Sequence, residues 1–274
     1  MSYKTLLVHA EASDACEDGI RLAVDVAAMF SAKIIGLSTE NIDLNRPEPH
    51  ALAERATNDN EFKPNATNRP FTEQRFHELT KSVAAGAEWR VGREVPATAL
   101  AHHACRADLI VASRPSRGSM AVFTAPGADL LLTAGAPVLF AGDGAAPLKA
   151  DHVLVAWKNS KDARRALSDA MPLLVRAQTV TLASIIGDAG ENSDFEQLAG
   201  LVERLVRHNV NVRALTLQQK RRPVAELLEQ AAGRTTSDLI VMGARRRPDV
   251  GECVLGDTTE DMLAACSRHV LFGH

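Results

Sequence analysis

The sequence is poor in aromatic side chains, which make up 4% of its 274 residues. It has eight Phe, two Trp and one Tyr, so its core has to be built mainly from Ala, Val, Leu and Ile. A stacking platform for single-stranded nucleic acid needs aromatic side chains. We therefore expect no nucleic-acid partner.

Long apolar runs are also missing, and no stretch approaches the roughly 20 residues that are needed to cross a bilayer. The first apolar run already begins at Thr5, which leaves no room for a signal peptide before it. The 31 basic and 34 acidic residues nearly cancel, giving a formal net charge of -3. This balance is not that of a polyanion-binding protein. We expect a cytoplasmic protein without a membrane partner.

Cysteines are few and scattered, and none has the Cys-x-x-Cys spacing of a metal or redox site. They are predicted to be reduced, buried thiols: Cys16, Cys105, Cys253 and Cys266. The adjacent pair His102 and His103 points in two directions on a helix and is not expected to share a metal ion. No Gly-x-Ser-x-Gly, Cys–His constellation or complete Walker loop is present. We assign no catalytic residue and expect no metal requirement.

The chain repeats itself. An apolar, strand-like run at residues 5–10 returns at residues 152–157. Each run leads to a serine, Ser13 or Ser160, and then to a helical pattern. Serine is a good helix N-cap because its hydroxyl accepts a bond from an unpaired amide of the first turn.

Later segments repeat in the same order. A proline opens a helix in each half, at Pro96 and Pro223, where its missing N–H costs nothing. Each helix leads to the same tetrapeptide, Asp-Leu-Ile-Val, at residues 108–111 and 238–241. This order indicates an internal duplication.

Strands and helices alternate in each half, which predicts an α/β fold with helices on both faces of a parallel sheet. We expect two tandem doubly wound five-stranded sheets, in domains 1–144 and 148–274. A long Asn- and Pro-rich insertion at residues 41–70 interrupts the first domain, and we expect it to be at least partly helical because its segment 51–56 has good helix formers.

Ligands of doubly wound sheets bind beyond the carboxyl ends of the strands. In the second half this rule points to residues 158–160 and 243–247. At this point the sequence resembles the universal stress protein family. The resemblance is carried by the Ser-capped first helix, the Pro-led third helix and the run Asp-Leu-Ile-Val-Met-Gly at residues 238–243.

The resemblance implies a phosphate-binding loop after the fourth strand: Gly, two residues, Gly, nine residues, then Gly with Ser or Thr. Gly243 fits the first glycine and Gly256 the third. Arg246 stands at the second glycine, Asp257 replaces the Ser or Thr, and Thr258 follows. The side chain at the second glycine and the added carboxylate both oppose phosphate binding.

Nearby positive charge favours phosphate binding and so counteracts these two substitutions. Lys158 stands where the resemblance implies an Asp after the first strand, and Arg245 joins Arg246 in a basic run. Together with Ser160, these residues form a candidate degenerate site for ATP or another anion. In the first half Ser113 and Ser116 replace the glycines, so ATP is not expected there.

The resemblance implies a tandem universal stress protein that acts as a non-enzymatic binding or signalling module. The alternative is an ATP-binding protein with slow ATPase or phosphotransfer activity at the second-half loop. A third possibility is another anionic metabolite. The last strands, at residues 138–140 and 270–272, are expected to supply edges for pairing. We expect the halves to pack as a pseudo-dimer and the chain to form a homodimer through such edges.

Overall fold

A computed structural model describes residues 2–10, 14–39, 73–92, 94–114, 127–142, 146–186, 193–219, 221–244, 246–247 and 254–274. The first half contains β1 (Thr5–His9), α1 (Asp14–Phe30), β2 (Lys33–Thr39), α2 (Glu73–Thr80), β3 (Ala87–Gly92), α3 (Pro96–Ala104), β4 (Leu109–Ala112), α4 (Gly127–Thr133) and β5 (Val138–Phe140). The second half contains β6 (His152–Trp157), α5 (Lys161–Arg176), β7 (Thr179–Ile186), α6 (Ser193–Arg207), β8 (Val212–Gln218), α7 (Val224–Arg234), β9 (Leu239–Gly243), β10 (Arg246–Arg247), β11 (Val254–Leu255), α8 (Asp257–Ala265) and β12 (His269–Gly273).

All ten long strands belong to one sheet, in the order β3-β2-β1-β4-β5-β12-β9-β6-β7-β8. Within each half neighbouring strands are parallel, and β5 pairs with β12 antiparallel. The α/β fold class is confirmed, and the two five-stranded sheets are joined edge to edge. The pseudo-dimer expected from the repeat is present within one chain.

The junction between the halves is the strand pair β5–β12, with Val270 opposite Phe140 and Phe272 opposite Val138. β5 also pairs with β4, and β12 also pairs with β9. The expectation that these two strands supply edges for a second copy is therefore wrong. Their hydrogen-bonding groups are already used inside the chain.

The core consists of two apolar layers, one on each face of the sheet. Alternate residues of a strand point to opposite faces, and Leu6 accordingly belongs to the layer that contains residues of α1, α2, α5 and α6. Leu7 belongs to the layer on the other face, with residues of α3, α4, α7 and α8. Both layers run across the two halves, so the halves share one core.

Side chains close the junction on both faces. The rings of Phe140 and Phe272 are fully buried and meet edge to face with centroids 5.9 Å apart. At the end of β5 the amide of Gly142 donates to His269 Nδ1 over 3.1 Å. A Cβ on Gly142 would lie 2.6 Å from the carbonyl oxygen of Ser267, so the backbones approach closely here.

Two further findings concern the sequence expectations. Residues 246–247 pair antiparallel with residues 254–255 as a short ribbon, which the sequence pattern did not indicate. The expectation of a partly helical insertion at 41–70 lies outside the described residues. None of the described helices has the length and hydropathy of a membrane span.

Candidate functional site

The topological switch point of the second half lies between β6 and β9, where the strand order changes direction. β6 is followed along the chain by β7 on one side, and its other neighbour is β9. Ligands of doubly wound sheets bind beyond the carboxyl ends of such a strand pair. These ends carry Trp157 and Lys158 after β6 and Gly243 at the end of β9.

The first turn of α5 lies at this switch point. Ser160 is its N-cap, and its Oγ accepts a bond from the amide of Ala163 over 3.1 Å. Among the described residues, no acceptor is found for the amides of Lys161 and Asp162. Unpaired amides and the helix dipole make such a terminus attractive to an anion.

Gly243 allows α5 to approach the end of β9. A Cβ at this position would lie 2.6 Å from both the amide nitrogen of Ala163 and the carbonyl carbon of Asp162. These are backbone atoms, which cannot move aside as the end of a side chain can. Gly243 therefore sets the position of the helix terminus, which is a packing role.

The second helix terminus of the predicted site carries its own acid. α8 begins at Asp257, with Gly256 as an N-cap that makes no side-chain bond. Gly256 has a φ of -76°, a value that residues other than glycine adopt readily. Asp257 and Glu260 lie in the first turn, where their carboxylates satisfy the positive end of the dipole. α5 also carries an acid in its first turn, Asp162, but only one, so the α8 terminus with two carboxylates is the less suited to phosphate, although Thr258 is half-exposed there.

The basic residues of the site differ in their surroundings and in whether the structure describes them. Lys158 is exposed and has no ion-pair partner among the described residues. Arg164, one turn into α5, donates to Asn159 Oδ1 over 2.6 Å, a bond that the sequence analysis did not anticipate. Arg246 and Arg247 lie in β10, and Arg245 lies outside the described residues.

The first half solves the same packing problem with different residues. Ser113 takes the place of Gly243, and the close contact is relieved on the helix instead, at Gly19. A Cβ on Gly19 would lie 2.5 Å from Ser113 Oγ. The next residue, Arg114, is 7% exposed, and its Nη2 donates to the carbonyl of Arg268 in the second half. Arg114 therefore reaches toward the junction.

The cysteines and His102 were the other candidates for chemistry, and their surroundings are as follows. Among the described cysteines, Cys16 and Cys266 are buried thiols, whereas Cys105 is exposed, contrary to expectation. Burial, followed by the hydrogen bond to Glu229, raises the pKa of the Cys266 thiol to about 12. His102 Nδ1 lies 2.9 Å from Glu94 Oε1 on the surface. Within the described ranges no group of three or more His, Cys, Asp or Glu side chains could hold a metal ion.

Comparison with known proteins decides the family of the second half. The model of the universal stress protein family matches residues 149–272. The second half is a universal stress protein domain. The resemblance seen in the residues is thus confirmed for this part of the chain. No curated protein sequence matches the chain.

Solved structures extend the likeness of fold to the first half. A universal stress protein from Archaeoglobus fulgidus DSM 4304 superposes with a TM-score of 0.70 at 16% identity, over 97% of each chain. A protein of unknown function from Pseudomonas aeruginosa PAO1 gives a TM-score of 0.60 at 16% identity, over 98% of this chain and 92% of that chain. The chain therefore shares the fold of these structures over both of its halves.

Proposed function

We propose that the second half binds a small phosphate-bearing anion, with ATP as the first candidate, at the carboxyl ends of β6 and β9. The observation that carries the proposal is the terminus of α5, where two amides have no acceptor among the described residues and Lys158 lies exposed beside them. The family of this domain adds support. Gly243 holds the terminus at the switch point.

The same residues argue for binding without turnover. The described part of the site offers a cation and amide donors. It brings together no nucleophile and base of the kind that acyl or phosphoryl transfer needs. We therefore propose a stress-response binding or signalling module, with slow ATP hydrolysis as the alternative. The exposed free thiol of Cys105 fits a reducing compartment, and we place the protein in the cytoplasm.

The halves act as one unit in this proposal. Residues 1–144 and 148–274 are taken as two repeats that share one sheet, with the ligand site in the second. The outer strands are β3 and β8. β3 carries the charged side chains of Glu88 and Arg90, which disfavour edge pairing with another copy. The internal pseudo-dimer thus takes the place of a homodimer.

Calorimetric titration of the full chain with ATP, ADP and inorganic phosphate tests the proposal. Lys158→Met should lower the affinity for all three about tenfold, because a charged hydrogen-bond donor is lost. Lys149→Met removes an exposed lysine of the linker and should leave the affinity unchanged. Equal binding by both variants, or no heat at millimolar ligand, would refute the site. Phosphate release from ATP above the protein-free blank would favour the hydrolytic alternative.

A further inference from the structure

A cavity lies between the first half and the junction, and none of its lining residues belongs to the proposed site. Its walls come from α1, from α2, from the linker after β5 and from the first residue of β12. Its volume is about 260 Å³. That is the liquid volume of about nine water molecules and lies below the range of drug-sized pockets. Such a cavity suits a compact ligand.

One wall of the cavity holds a carboxylate whose negative charge is balanced by no Lys or Arg among the described residues. Asp25, on α1, is half-buried, and its Oδ2 accepts the amide of Leu148 over 2.9 Å. Burial raises the pKa of Asp25, an effect that the Leu148 bond only partly offsets. No Lys or Arg forms an ion pair with it among the described residues. A cation in the cavity would supply the missing charge.

The other polar side chains of the wall do not supply that cation. Arg21 is exposed and forms an ion pair with Glu17 over 3.3 Å. His269 Nδ1 accepts from Gly142, while its Nε2 lies 2.9 Å from the carbonyl oxygen of Ala146. These two bonds fix a neutral ring with the proton on Nε2. Burial lowers the pKa of His269, which agrees with the neutral form.

The remaining wall combines a further acid with apolar surface. Asp18 adds a second carboxyl group, and Leu22, Leu79 and Pro147 provide hydrocarbon. We propose that the cavity binds a small organic cation, an ammonium group on a compact hydrocarbon body, with Asp25 as its counter-ion. Such a ligand touches α1 of the first half and His269 of the second, so it bridges the junction.

Benzylammonium is the probe that matches this cavity, and benzyl alcohol is its uncharged counterpart of the same shape. We expect calorimetry on the full chain to show that benzylammonium binds at least tenfold more tightly than the alcohol. The amide signal of Leu148 in a ¹⁵N–¹H spectrum should shift on titration, because this amide donates to Asp25. Equal binding of the two probes would overturn the proposal, as would an unmoved Leu148 signal.

Variants separate the counter-ion from the fold. Asp25→Asn keeps an oxygen for the Leu148 amide and should lower the affinity about tenfold to a hundredfold. Asp169→Asn is the matched control, because Asp169 is an α5 aspartate whose pKa burial also raises and which lies outside the cavity. Ala146→Leu fills the cavity from an exposed linker position and should abolish binding. Unchanged affinity in Asp25→Asn and Ala146→Leu would refute the site, whatever the outcome for ATP.

Discussion

Replacing Gly243 by alanine tests the position of α5 against the end of β9. The new Cβ would lie 2.6 Å from backbone atoms of Asp162 and Ala163, closer than real Cβ atoms come. Neither atom can rotate away, so the helix terminus has to shift. Overpacking of this kind costs about 1–3 kcal/mol of the free energy of unfolding. The same shift moves the open amides of the proposed anion site, so ligand affinity should also fall.

Urea unfolding followed by circular dichroism measures the free energy of unfolding of Gly243→Ala. Gly200→Ala is the control. Gly200 is exposed in α6, and a Cβ there meets nothing within 4 Å. Alanine at this position should raise the free energy of unfolding by about 0.5–1 kcal/mol, because glycine is the poorer helix former. The two substitutions are thus expected to have opposite signs. A Gly243→Ala protein as stable as the wild type would refute the packing role.

Three further predictions concern the junction and the first half. Gly19→Ala should destabilise the chain, and adding Ser113→Ala should restore much of the loss in urea unfolding, because the clash is with Ser113 Oγ; two independent, additive losses would contradict this. The pKa of His269 is lowered in the folded state, so the unfolded state binds more protons and stability should fall as the pH drops below about 6.5. His269→Asn should flatten that slope in unfolding curves taken at several pH values, and an unchanged slope would exclude His269 as its source. Light scattering should give the monomer mass of 29.4 kDa at all dilute concentrations, since β5 and β12 pair within the chain. A stable mass of twice this value would show that two copies associate through another surface.

Much of the fold was readable from the residues because local patterns fix local structure. Short apolar runs such as 152–157 are typical of buried strands, and Ser160 is a helix cap for reasons that need no tertiary contact. The repeat then implied a parallel sheet in each half. For the site, the switch-point rule placed Lys158 and Gly243 on neighbouring strand ends, and the sheet order agrees.

Other features depend on which surfaces meet. The residues at 138–140 and 270–272 carry no signal that says whether an apolar strand pairs with its own chain or with another copy, and the linker path brings β5 and β12 together. Gly243 fits the first glycine of the phosphate-loop pattern in the sequence, but only the tertiary structure shows that its missing Cβ also makes room for the backbone of α5. The environment of Asp25 was not readable either, because the Leu148 amide that donates to its carboxylate lies 123 residues away along the chain. Sequence by itself determined the repeated strands and helices and their order. The tertiary structure alone decided which strands pair and added the β10–β11 ribbon, because pairing and burial depend on distance in space.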